Sequence, residues 1–201
     1  MKIIFMRHGQ TKVNVAASVH RKNDEATLDE TGEEQAHKLA IACYQEGLQE
    51  LFCSPELRAQ QTAEILAAEL GLKPIELAEF SERNWGDWSG KPWSEIQSQL
   101  DRMTLQERYE FIPLNGESWK AMEGRLHHGL GTLTKSDHSV VGVVTHGGAL
   151  RALMPITKDQ PKESSFQYDF LNASITIFDF DDGKWTLIRQ NDVTHLLDES
   201  S

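Results

Sequence analysis

The sequence predicts an α/β fold: a mostly parallel central sheet with helices on both faces, an antiparallel edge strand and a helical insertion. Three observations point there. Short apolar runs recur at residues 2–6, 50–53 and 140–145, as expected of strands buried on both faces. Helical patterns alternate with these runs, as a parallel sheet requires. Near the end, two more apolar runs flank Asp182-Gly183, a favoured two-residue hairpin turn.

Taken in chain order, residues 2–6 form the first strand. Residues 31–46 form a helix in which Thr31 and Glu34 fit a capping box. Ala36, Leu39, Ala40 and Cys43 make its apolar stripe, and Gly47 closes it. Residues 50–53 are the second strand. Residues 58–70 are a helix with Ala59, Ala63, Leu66, Ala67 and Leu70 on one side and Gly71 as its stop. A third strand is expected over 75–80. The stretch 84–134 holds Trp85, Trp88, Trp93 and Trp119 and breaks at Pro92 and Pro113. It reads as a helical insertion with one long helix over 117–133. A strand at 140–145 and a helix at 148–154 follow, then a hairpin of 174–180 and 184–190 that adds the antiparallel edge. No linker or repeat interrupts the pattern, so residues 1–201 are read as a single domain with its insertion at about 84–134.

The net charge of −11 argues against nucleic acid and anionic membranes, which need a basic footprint. It leaves room for a small anion, because distant acids are screened within about 8 Å while a few fixed arginines act at short range. Cys43 and Cys53 read as small buried hydrophobes. No stretch approaches the length of a membrane span, and the residues before Arg7 are too few for a signal segment, so a cytoplasmic location is expected.

Chemistry concentrates where the strands end. The three apolar runs end in "RHGQT", "SPELRAQQT" and "HGG". Open α/β sheets bind ligands at the carboxyl ends of their parallel strands. Arg7, His8, Arg58 and His146 are therefore expected at one sheet edge. Arginine grips a phosphoryl group bidentately and keeps its charge. A neutral imidazole can attack phosphorus and carry it covalently. Nearby arginines favour the neutral form of His8. Its second ring nitrogen then needs a local acceptor, expected to be a carbonyl near Gly9. A leaving alkoxide needs a proton, and "SERNWGDWSG" offers Glu82, with Glu79 and Asp87 as alternatives.

With "RHGQTKVN", "LDETGEEQA", "CSPELRAQQTAE", "SERNWGDWSG", "NGESW", "VVTHGGALR" and, more weakly, "NDVTHL" in order, the chain resembles the histidine phosphatase superfamily. That superfamily is also called phosphoglycerate mutase-like, and the likeness runs from Lys2 to about Leu196. It implies the phosphoglycerate mutase-like fold, with the insertion over the active site, and a phosphohistidine formed on His8. It implies a phosphate pocket of Arg7, Arg58 and His146, with Asn14 touching phosphate and Gly147 offering a backbone N–H. It places the proton donor at Glu82 and an aromatic border of the substrate at Trp85. No metal or other cofactor is implied, and no metal-ligand spacing is visible.

The phosphatase branch fits better than the mutases. The insertion is compact and lacks an adjacent arginine pair, "NGES" looks like the phosphatase branch, and Gly148 stands where those mutases have asparagine. Ser89 departs from the glutamate of many relatives. The expected activity is metal-independent hydrolysis of a small phosphomonoester. Alternatives are a cofactor-dependent phosphoglycerate mutase and a non-catalytic phosphate-binding protein. The partner is a small phosphorylated substrate or inorganic phosphate, and a homodimer is left open.

Plainer roles compete for several residues. Asn14 suits a turn cap. Trp88 and Trp93 suit the core of the insertion. His127 and His128 are adjacent on a helix and face different ways. His20 and Arg21 suit a solvated loop as well as the non-phosphate end of a substrate. Sugar phosphates, cofactor-precursor phosphates such as α-ribazole phosphate, and a broad range of esters all stay open.

Overall fold

The computed structural model describes residues 1–21 and 25–197. In chain order the elements are β1 (Lys2–Arg7), α1 (Lys12–Val15), α2 (Glu30–Glu46), β2 (Glu50–Cys53), α3 (Leu57–Leu70) and β3 (Pro74–Glu76). Then come α4 (Trp93–Leu100), α5 (Leu105–Glu110), α6 (Trp119–Leu133), β4 (Val140–Thr145), α7 (Gly147–Lys158), β5 (Ile175–Asp181) and β6 (Lys184–Asp192). The six strands form one sheet in the order β3-β2-β4-β1-β5-β6. β3, β2, β4 and β1 run parallel, while β5 pairs antiparallel with β1 and β6 antiparallel with β5. The fold class read from the sequence is the one observed.

The continuous apolar runs are explained by burial on both faces. In β1, Ile3 and Phe5 pack toward Trp119, Leu126 and Leu150 of α6 and α7. Ile4 and Met6, pointing the other way, pack toward Leu39, Cys43, Ala63 and Leu66 of α2 and α3. Each fully buried side chain of this kind contributes about 1.5–3 kcal/mol. A third, smaller cluster of Trp85, Ile96 and Leu100, with Trp88 and Trp93 packed against it, is the core of the insertion. Among the described residues no helix is long and apolar enough to cross a membrane.

Several boundaries differ from expectation. The cap of α2 is Asp29, whose side chain accepts from Gly32 N, and not the Thr31–Glu34 box. The third strand stops at Glu76, and Ala78–Phe80 turns as a 3-10 helix that drives Phe80 into the core. α6 begins at Trp119 because the Ser118 hydroxyl accepts from Ala121 N. α7 runs through Pro155 to Lys158, where Asp159 ends it in the left-handed region. The hairpin turn is as expected, with Asp182 and Gly183 both at positive φ.

Candidate active site

The site sits at the carboxyl ends of β1, β2 and β4. β1 delivers Arg7 and His8, and the His8 N–H continues the ladder by donating to Thr145 O at 3.0 Å. The His8 carbonyl accepts from Ala173 N at 3.2 Å and Asn172 Nδ2 at 3.1 Å. The nucleophile candidate is thus clamped by its backbone from both sides. Gly9 follows because the chain here touches α2: a Cβ on Gly9 would stand 2.4 Å from the Gly32 carbonyl oxygen. Gly9 N–H donates to Thr62 Oγ1 at 3.1 Å, tying the turn to α3.

His8 is 2 % exposed. Its Nδ1 lies 2.7 Å from Gly9 O. A carbonyl only accepts, so Nδ1 carries the hydrogen and Nε2 keeps its lone pair. Burial, then Arg58, His146 and Arg7, push the imidazole well below its ordinary value, while the Gly9 carbonyl pulls weakly the other way. These influences favour the neutral ring, which leaves Nε2 with an unshared lone pair.

His146 occupies the N-cap position of α7 without a side-chain capping bond, its ring centre 5.2 Å from that of His8. Its Nε2 lies 2.6 Å from Ser54 Oγ and 3.0 Å from Glu56 Oε2. Burial and Arg58 lower its pKa, against Glu56 and Glu82, which raise it. Arg58 is 1 % exposed on α3. Arg7 donates from Nη1 to Phe170 O, and its Nε is buried without a partner. A buried donor of this kind is costly unless a ligand oxygen meets it.

Asn14 does cap a turn, as one half of a capping box with Thr11. Its Oδ1 accepts from Thr11 N and Oγ1 and from Asn172 Nδ2. With the oxygen occupied, the Nδ2 amide is the end left for an anion. The turn-cap reading of Asn14 is the one observed, and it leaves the amide free of the cap's own hydrogen bonds.

Two cavities of about 410 Å³ each meet at this edge and share His20 and Glu82. One is bordered by Arg7, Asn14, Trp85 and Gly147, the other by Glu56, Arg58 and Arg83. Glu82 thus stands where Glu79 and Asp87 do not. Its Oε1 accepts from Arg83 N at 2.7 Å and its Oε2 from Gly148 N at 3.0 Å. Asp87 is turned away and accepts from Asn115 Nδ2. Gly148 leaves Glu82 its place, since a Cβ there would fall 2.1 Å from Glu82 Oε1. The loop is stapled by Arg125 of α6, which donates to the carbonyls of Glu79, Ser81 and Glu82.

Trp85 borders the cavity and also packs in the insertion, stacked on Trp88 and edge-on to Trp93. Trp93 reaches the same cavity, a role the sequence reading withheld from it. His20 lies at the site, its ring centre 5.9 Å from His8. Sequence reasoning missed Glu56, Arg125 and Asn172. Glu56 lies inside "SPELR" and drew no notice, because a lone glutamate in a helix-entry motif reads as solvated. Among the described residues no cluster of His, Cys, Asp and Glu is built to hold a metal.

A family model described as the histidine phosphatase superfamily (branch 1) matches residues 3–193. An uncharacterized phosphatase, PhoE, of Bacillus subtilis is 30% identical, over 96% of each chain. A metal-independent phosphoserine phosphatase of Arabidopsis thaliana is 30% identical, over 97% of this chain and 83% of its own. Among solved structures, a mycobacterial glucosyl-3-phosphoglycerate phosphatase in complex with VO3 superposes with a TM-score of 0.84. It is 25% identical, over 96% of this chain and 99% of its own.

Proposed function

The chain belongs to branch 1 of the histidine phosphatase superfamily, and from that premise we propose that it is a metal-independent phosphomonoester hydrolase acting through a phosphohistidine on His8. Its phosphatase-named relatives support a phosphatase. The observation that carries the mechanism is the His8 tautomer. A buried neutral imidazole, with Nδ1–H fixed on Gly9 O, presents only Nε2 to a phosphorus atom.

Arg7, Arg58, the Asn14 amide, His146 and the Gly147 N–H hold the phosphoryl oxygens. His8 Nε2 attacks in line, the N–P bond forms and the ester P–O bond breaks. Glu82 gives the leaving alkoxide its proton. In the second half, Glu82 takes a proton from water, the hydroxide oxygen attacks phosphorus and the N–P bond breaks. Neutral His8 and inorganic phosphate result. The same residue serves as acid and then base, as microscopic complementarity of the two half-reactions demands.

The substrate is a small phosphorylated metabolite. The relatives' names differ in what they act on, so no single ester carries over. A probable phosphoglycerate mutase of Yersinia pestis is also 27% identical. Gly148, which stands where those mutases have asparagine, speaks against that activity here. The test is an aryl phosphate assay in chelator beside a His8→Ala variant. Release of inorganic phosphate by the wild type alone supports the reading. No release from aryl or small sugar phosphates sinks it.

A further inference from the structure

Glu56 contributes nothing to the phosphate pocket directly, yet it supports two of its members. Oε2 accepts from His146 Nε2 at 3.0 Å and also from the Ser54 hydroxyl. Oε1 accepts from the backbone N–H of Glu82 at 3.3 Å. The side chain is 9 % exposed. One buried carboxylate therefore joins the phosphate-side histidine to the main chain of the proton donor.

The chemistry of the pair fixes which nitrogen faces a ligand. A carboxylate only accepts, so His146 Nε2 carries a hydrogen. Nδ1 is left, buried and without a partner. On a neutral ring, that nitrogen is a lone pair and repels a phosphate oxygen. On a doubly protonated ring it is a charge-assisted donor.

We propose, on the phosphatase reading above, that Glu56 is a positioning residue that makes His146 hold the phosphoryl group as an imidazolium, Nε2–H on Glu56 and Nδ1–H on phosphate. The groups facing His146 are Arg58 from α3, neutral His8 from the end of β1, Glu82 from the loop before α4, and Ser54 with Glu56 itself. Arg58 and burial oppose the cation; Glu56 and Glu82 favour it. The Glu56 carboxyl, which burial alone would raise, is held well below the usual range by His146, the Ser54 hydroxyl and Arg58. It is therefore a fixed negative charge. In the empty pocket the balance lies toward neutral His146. A bound dianion tips it, and Glu56 supplies the second negative charge.

The test compares wild type, Glu56→Gln and Glu56→Asp, with inorganic phosphate as the ligand competing against an aryl phosphate from pH 5.5 to 8.5. Taking the ratio of variant to wild type removes the titration of phosphate itself and of His8. Gln keeps the shape and loses the charge, so the alkaline limb of phosphate binding moves acidic by about one unit. Phosphate then binds within about threefold of wild type at the low end and roughly tenfold more weakly at pH 8, with KM moving more than kcat. Asp restores the limb. A loss equal at every pH, or the same in Gln and Asp, overturns the proposal in favour of a purely structural role. Should the variants fail to fold, ¹⁵N spectra of wild-type His146 with saturating phosphate decide it. Two protonated ring nitrogens at pH 7 support the proposal, and a neutral ring overturns it. Wild type that hydrolyses no ester at all is a different failure: the phosphatase reading falls first and takes this with it.

Discussion

Gly148→Ala separates folding from catalysis at a single methyl group. The added Cβ falls 2.1 Å from Glu82 Oε1 and 3.0 Å from its Cδ. No atom pair survives at the first distance, so something moves. The obstacle is the far end of a flexible side chain, so Glu82 swings away and the backbone stays. Gly148 has no positive φ, and it lies in the first turn of α7. Alanine is the better helix former, by up to about 1 kcal/mol. The variant should therefore melt at or above the wild-type temperature. The lost function is protonation of the leaving group, worth about 10²–10⁴-fold where the alkoxide is basic. An aryl leaving group hardly needs that proton and should lose less than about 10-fold. The rate to read is phosphoenzyme formation in a single turnover by rapid quench, because Glu82 also serves the second half-reaction. A large loss with an alkyl phosphate and a small one with an aryl phosphate is the expected outcome. Equal losses, or an unchanged alkyl rate, would refute Glu82 as the acid.

The remaining predictions concern what holds the site. Gly9→Ala sets a Cβ against the Gly32 carbonyl at 2.4 Å, backbone against backbone, and should cost about 1–3 kcal/mol in urea unfolding. Arg125→Met strands the carbonyls of Glu79, Ser81 and Glu82 and loosens the loop that carries the acid. It should lower both the melting temperature and the alkyl phosphate rate, with a destabilisation of about 1–3 kcal/mol. His8 and His146 are both depressed in the folded protein, so the unfolded chain takes up their protons first. Their contribution is intact above about pH 6.5 and lost as pH falls below it, at up to about 1.4 kcal/mol per pH unit for each histidine. Denaturation at a series of pH values should show this slope, and His8→Asn should remove its own share.

Much of the site was legible because its residues follow strands. Arg7, His8 and His146 each end an apolar run, and a run buried on both faces announces itself by lacking alternation. Arg58 is read the same way, at the second position of the helix that β2 feeds. What the sequence hid depends on chain return. Asn172 meets His8 and Asn14 from far along the chain, and nothing local marks it. Glu56 looks like an exposed helix-entry acid until His146 arrives from β4. Arg125 lies on the polar side of a helix and stands out only when three carbonyls of another loop converge on it. The third strand ends earlier than expected for a local reason: Ile75 and Phe80 share hydrophobicity, but Phe80 is buried through a 3-10 turn. The cap of α2 failed because Asp29 and Thr31 are both good caps, and the choice belongs to the contact between Asp29 N and Gln10 O.

The central claim is a covalent bond between His8 Nε2 and phosphorus. Wild-type protein quenched in base during turnover and digested should yield a phosphoryl group on the peptide that contains His8, stable in alkali and lost in acid. A His8→Ala sample should carry none. Turnover with no phosphopeptide, or with the phosphoryl group on any other side chain, would contradict the mechanism.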